Sequence, residues 1–298
     1  MNPRDLYEVT GTDHPQVPVL VHALEGAIDA GNAGELARDH LLRHLPSQRV
    51  VTFDVDRLID YRARRPLMDF VDGQWTGYDK PEIVIDLLRD DEGKPLLLLH
   101  GCEPDVHWER FIEAVRIVVE KFGVQLTLGI HGIPMGVPHT RPITVTAHAT
   151  RKELIEDTPD FAGTVKVPAM IGNLLQYRLG QDERDAVGFA VNVPHYLTQT
   201  DYPQAAAELV RRVARAGELS LPVGDLEARG VKVQAEIERQ VEESDEVRAL
   251  VATLESHYDS FSEQEGTPPP LPAAEVPTAD DIAAQVEAFL AGQQDEED

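Results

Sequence analysis

"VPVLVHALEGAIDAGNAGELARDHLLRHLPSQRVVTFDV", residues 17 to 55, decides the fold class. Its first eight residues are a continuous apolar run, with the length and pattern of a strand buried on both faces. Gly26, Gly31 and Gly34 then permit a tight turn, and Leu36, Leu41, Leu42 and Leu45 recur at helical spacing. "RVVTFDV" (49 to 55) is a second buried strand. Strand, helix, strand is the rhythm of a largely parallel sheet covered by helices.

Working outward, "EIVIDLLRD" (82 to 90) and "PLLLLHGCEPD" (95 to 105) are separated by the charged turn "DEGK", which joins adjacent antiparallel strands and makes the sheet mixed. "HWERFIEAVRIVVEKFG" sets Phe111, Val115, Val118, Val119 and Phe122 on one helical face and ends in the capping Gly123. Strands follow at "VQLTLGI", "ITVTAHA" and "AVGFAVNV", with helices in "MIGNLLQYRL" and from about Gln204 to Ala216. The pattern predicts an N-terminal arm (1–16) and one α/β domain (17–218) with helices on both faces of its sheet.

Beyond residue 218 the composition becomes charged and helical. Val247, Leu250, Val251, Leu254, Tyr258 and Phe261 form a stripe at i, i+3, i+4, i+7. A helical hairpin (219–262) with such a stripe must lay it on the α/β domain or on a neighbouring copy, so the chain is expected to be a homo-oligomer, dimer or trimer. A Pro-rich linker (263–277) leads to a terminal helix and acidic tail (278–298), in which Thr278 caps and Ile282, Val286, Phe289 and Leu290 share a face.

Charge limits the partners. With 53 acidic against 27 basic residues the formal charge is −26. Extended contact with phosphate backbones depends on Lys and Arg releasing counterions, so neither nucleic acid nor an anionic membrane is expected as a partner. No run of eighteen apolar residues and no secretory pattern at the start is present, which predicts a cytoplasmic protein. Cys102 is the lone cysteine, so there is no internal disulfide or thiolate metal cluster, and it reads as a structural residue.

Three stretches hold candidate site residues. "LEGAIDAG" (24 to 31) places Glu25 and Asp29 where a strand ends, the edge at which open α/β sheets gather ligands. It is neither a GxGxxG fingerprint nor a Walker loop, so no nucleotide cofactor is expected. "HGCEPDVHW" (100 to 108) offers His100, Glu103, Asp105 and His107, yet in no common metal-ligand spacing. Asp105 is expected instead to cap the helix that begins near Trp108. In "GIHGIPMGVPHTRPITVTAHAT" (129 to 150), Pro134, Pro138 and Pro142 stiffen a loop that presents His139, Thr140 and Arg141 beside His131. A hydrolase would need an activated nucleophile, and Thr140 has no acidic partner nearby in sequence. Arg141 is expected to lock onto a carboxylate at the sheet end. Glu25, Asp29, Glu103, His131, His139, Thr140 and Arg141 are thus the candidate ligand or recognition residues, with no catalytic residue, metal or cofactor assigned.

In order, "EGAIDAG", "RARRP", "CEPDVHWERF", "GVPHTRPITVT", "VPAMIGNLL" and "VNVPHYL" resemble the proteasome assembly chaperone 2 family over roughly residues 17 to 218. The ordered set is far more specific than any one piece. The resemblance implies a three-layer α/β/α sandwich similar to the phosphorylase/hydrolase-like fold, with a C-terminal helical appendage like that of actinobacterial members. It also implies a non-enzymatic chaperone or scaffold whose partners are proteasome subunits. Members commonly end in a hydrophobic-tyrosine-any-residue tail, whereas this sequence reads "QQDEED" there, so docking through such a tail is not expected. The alternative is a small-ligand binder or a hydrolase or nucleoside phosphorylase-like enzyme using the strand-end turns.

Overall fold

A computed structural model of the chain describes residues 2–10, 15–26, 28–155, 164 and 166–262. A short strand, β1 (Tyr7–Val9), precedes the predicted apolar strand β2 (Val19–Glu25), helix α1 (Ala33–His44) and strand β3 (Ser47–Phe53). Next come β4 (Met68–Val71), β5 (Gln74–Tyr78), β6 (Ile83–Arg89) and β7 (Pro95–Cys102). The second half runs α2 (Trp108–Lys121), β8 (Leu126–Met135), β9 (Val145–Ala149), α3 (Ile171–Gln181), β10 (Asp185–Pro194) and α4 (Pro203–Gly217). Two long helices, α5 (Gly224–Glu243) and α6 (Asp245–Ser262), follow.

Eight of these strands make one mixed sheet in the order β1-β3-β6-β7-β2-β8-β10-β9. The inner strands β7, β2, β8 and β10 are mutually parallel. β6 is antiparallel to both β7 and β3, so β3 points the same way as β2, as the strand-helix-strand reading requires. The two are not neighbours, because the β6–β7 hairpin lies between them. Its turn is shaped by Asp90, whose Oδ1 accepts from the amides of Glu92 and Lys94, and by Gly93 at φ +83°.

Alternation along the strands sends side chains to two cores. Val19, Val21 and Ala23 of β2 pack with Leu128, Ile130, Val187 and Phe189 beneath α1 and α4, with Leu226 and Ile237 of α5 closing that layer. Leu20, Ile83, Ile85, Leu97 and Leu99 face Phe111, Val115 and Val118 of α2 and Leu175 and Leu179 of α3. The result is the expected three-layer α/β/α arrangement. Gly123 stops α2 with φ +65°. Among the described residues no helix is long and apolar enough to cross a membrane.

Several local expectations change. β8 runs to Met135, so the first part of the Pro-rich stretch is strand and not loop. Asp105 does not cap α2: His107, at φ +61°, precedes the helix with no side-chain cap. The Asp105 carboxylate instead accepts from the Asp60 amide at 2.8 Å and from Arg64 Nη2 at 2.7 Å, tying down the preceding loop. Part of the stripe of α6 is buried, and Tyr258 carries it onto the chain's own domain. Val251, Leu254 and Tyr258 are buried, Tyr258 against Met135 and Val137, while Val247 is half-buried and Leu250 exposed. The Phe261 side chain, the Pro-rich linker and the predicted terminal helix with its tail lie outside the described residues.

Candidate functional site

Because β7, β2 and β8 are adjacent and parallel, the chain leaves all three at one edge of the sheet. Glu25, Glu103 and the loop bearing His139 are brought to that edge. There they divide into separate groups.

At the end of β2, Asp29 is spent on the backbone. Its Oδ1 accepts from the amides of Gly34 (2.9 Å) and Gly132 (2.7 Å), and its Oδ2 from Glu35 (3.0 Å). One carboxylate thus caps the start of α1 and pins it to β8. Burial lifts its pKa above the ordinary carboxylate value, and the three amides hold back part of the rise. Glu25 pairs at 2.6 Å with Arg38, whose buried guanidinium also meets Asp39 and Glu35. Glu103 is buried; its Oε1 takes the amide of Ile171 at 2.6 Å, the first residue of α3, and its own amide donates to the Glu25 carbonyl at 3.0 Å.

The loop residues engage Tyr196, just after β10, and helix α6. His139 is buried against Tyr196, whose hydroxyl accepts from the His139 amide at 3.0 Å and lies 2.7 Å from Nδ1. Burial pushes the His139 pKa down and that of Tyr196 up to about 12. Thr140 donates to Glu255, and Arg141 holds both Glu255 and Asp259 of α6. Arg141 therefore makes the expected bidentate lock, but with the helical appendage and not with a carboxylate at the sheet end. Tyr258 adds a hydrogen bond to the Pro142 carbonyl at 3.1 Å. The stiff loop is the seat of α6.

His131 joins two histidines that the sequence reading did not single out as site residues. His22 on β2, His131 on β8 and His148 on β9 border one small cavity with Glu103, Gly129, Gly188 and Gly172, Asn173 and Gln176 of α3. Burial and the neighbouring His148 push His22 down to about 4, and burial with both neighbours does the same to His131. Burial also lowers His148, against a hydrogen bond from Gln176. A side chain at Gly129 or Gly172 would collide with the His22 ring, and one at Gly188 with the His148 ring. Isolated glycines inside strand patterns at 129 and 188 were the available sequence signal. Among the described residues no three His, Cys, Asp or Glu side chains are placed to hold a metal. Cys102, at the end of β7, is buried, and burial pushes its thiol up to about 11, away from nucleophilic use.

The sequence reading also passed over the hairpin of β4 and β5. Its turn is Asp72-Gly73, both at positive φ, the pair that favours two-residue hairpins. Leu67 is 74% exposed, Trp75 65% and Phe70 61%, with Met68, Val71 and Tyr78 about half exposed. Phe70 and Trp75 pack against each other with tilted rings, 4.8 Å between ring centres, away from either core.

Residues 23–241 match the sequence profile of the PAC2 family. A Mycobacterium tuberculosis protein of unknown function shares 49% identity, with a TM-score of 0.83 over 87% of this chain and 90% of its own. A Corynebacterium glutamicum protein of unknown function shares 36%, with a TM-score of 0.82 over 87% and 98%. A proteasome-assembly chaperone homologue of Mycobacterium tuberculosis shares 28%, with a TM-score of 0.72 over 78% and 99%. Among curated proteins no relative is found.

Proposed function

The chain belongs to the PAC2 family, and from that premise we propose that it is a non-enzymatic assembly chaperone or scaffold that acts on protein subunits as a homo-oligomer. The observation that carries this reading is the β4–β5 hairpin, which offers Leu67, Phe70 and Trp75 to solvent together. Contiguous exposed apolar surface of this kind marks a protein-contact site, since each large side chain covered there is worth roughly 1.5 to 3 kcal/mol. The buried part of the appendage stripe does not argue for association, because Tyr258 packs on the chain's own Met135 and Val137. Self-association is assigned to the hairpin instead.

The predicted site residues support the same reading. Asp29 and Glu103 cap helices, Glu25 pairs with Arg38, and His139, Thr140 and Arg141 seat α6 or pack beneath it. Each is a fixed recognition or holding element, not a nucleophile with its base. Proteasome subunits are the first clients to test, because a relative of 28% identity is a proteasome-assembly chaperone homologue. The working units are the α/β domain (17–218) and the helical appendage (219–262), and the compartment is the cytoplasm, in keeping with a single cysteine.

The test mixes the full chain with purified proteasome subunits of its own organism and follows assembly by native electrophoresis. Faster or more complete assembly is expected, and its loss in a Phe70→Ser, Trp75→Ser double variant. An assembly course unaltered by the wild-type chain would end the chaperone reading. Sedimentation of the same two proteins checks the oligomer: a wild-type monomer would end that claim.

A further inference from the structure

We propose, building on the self-association assigned to the β4–β5 hairpin, that the hairpin of one copy docks in the groove between α4 and α5 of a second copy. This groove has a volume of about 700 Å³, with Ala207 of α4, Gly230, Val231 and Ala235 of α5, and Pro142 and Ile143 as its apolar lining. Val231 is 73% exposed there, although it sits in the middle of a helix. Gln204 Nε2 of α4 donates to the Gly230 carbonyl of α5 at 3.0 Å, so the two walls are tied together and the groove is built into the fold. Its α5 wall runs from Glu227 to Glu238, about three turns or roughly 16 Å. A strand of the length of β5 spans about the same distance.

Charge selects the occupant. Glu208, Glu227 and Glu238 stand at the groove with Arg211 as its one cation, and Arg211 is already spent on Glu208 and Glu227. Glu238 meets the Gln234 amide at 2.9 Å and pairs with no cation among the described residues. The hairpin is the reverse. Residues 62–80 carry four Lys and Arg against three acids, in a chain with 27 bases against 53 acids. Arg62, Arg65 and Lys80 are exposed and make no ion pair among the described residues. Apolar Phe70 and Trp75 with cations at the hairpin base therefore match an apolar floor with an acidic rim. Two hairpins set face to face would bring like cations together. The chain's own stripe of Ile282, Val286, Phe289 and Leu290 carries Asp280, Asp281 and Glu287 and no base, so it would bring like charge to the rim. Hairpin and groove are different surfaces, so every copy offers both, and the contact closes as a reciprocal dimer or a ring.

The experiment uses full chains carrying one added thiol each, Val71→Cys on the hairpin or Ala235→Cys in the groove, both at exposed positions, with a short bis-maleimide as cross-linker. A cross-linked pair is expected when the two variants are mixed and not when either is treated alone. Cross-linking of Val71→Cys with itself would mean that hairpins meet each other, and would overturn the proposal. Sedimentation supplies the second arm. Glu238→Lys and Arg65→Glu should each weaken self-association at least tenfold, and a chain carrying both should recover most of it. Val231→Ser, an exposed change that the fold tolerates, should weaken association without touching the hairpin. An oligomer that forms in the wild type, gives no mixed cross-link and is unaltered by Val231→Ser would overturn the groove while leaving the hairpin's self-association standing. A wild-type monomer would end both.

Discussion

Arg141 grips Asp259 with both arms of its guanidinium, Nε to Oδ1 at 2.8 Å and Nη2 to Oδ2 at 2.7 Å, across 118 residues of chain. Its third contact, Nη1 to Glu255 Oε1 at 3.0 Å, lies one helical turn away on the same helix. A loop stiffened by Pro138 and Pro142 thereby holds α6, whose Tyr258 also packs against Met135 and Val137 with Ile133 beside them.

Arg141→Ala should therefore free α6 without unfolding the sheet. Amide hydrogen exchange across 245–262 is expected to quicken by about tenfold or more while β2 and β8 keep their protection. High salt should act on the wild type in the same direction, because the pair is partly exposed and screened. Unchanged exchange in α6 would assign its docking to Tyr258, Val251 and Leu254 alone.

Asp29→Ala leaves the amides of Gly34, Glu35 and Gly132 without their acceptor. The expected loss is roughly 2 to 5 kcal/mol, from the desolvated amides and the lost cap together. Urea unfolding with an unchanged m-value measures it, and a loss under about 1 kcal/mol would show that water replaces the carboxylate.

Glu103→Ala removes the acceptor for the first amide of α3, and about 0.5 to 2 kcal/mol should go with it. Glu103→Gln keeps an acceptor oxygen and should recover most of that loss. Equal destabilisation by the two variants would mean that the charge matters more than the cap.

Acid should weaken the fold through His22 and His131. Both take up protons at about 6.5 when unfolded and at about 4 when folded. Between those values the unfolded state binds more protons than the native one, so stability is full above about pH 6.5 and falls as the pH drops towards 4. At about 1.4 kcal/mol per pKa unit the loss amounts to several kcal/mol for the pair. Urea midpoints from pH 7.5 to 4.5 should show a steep decline in the wild type and a shallower one in a His22→Gln, His131→Gln variant; parallel curves would place the sensitivity elsewhere.

The sequence by itself determined the layers. Apolar runs such as 17–24 and 95–99, set between helical stripes, have only one economical burial, a sheet covered on both faces, and the turn "DEGK" fixed its mixed direction. The ordered motifs likewise carried the family. Only the tertiary structure decided who meets whom. Period and composition say which face of a residue is apolar but not which distant carboxylate will stand opposite it. Arg141 therefore found Asp259 on α6 and not a partner at the sheet end, and Asp105 found Arg64 in place of the α2 amides. His22, His131 and His148 are neighbours because β2, β8 and β10 lie side by side, with β9 on the outer edge, an order set by crossovers that no local pattern records. The glycines that make room for their rings acquire meaning only once those strands are packed beneath α3.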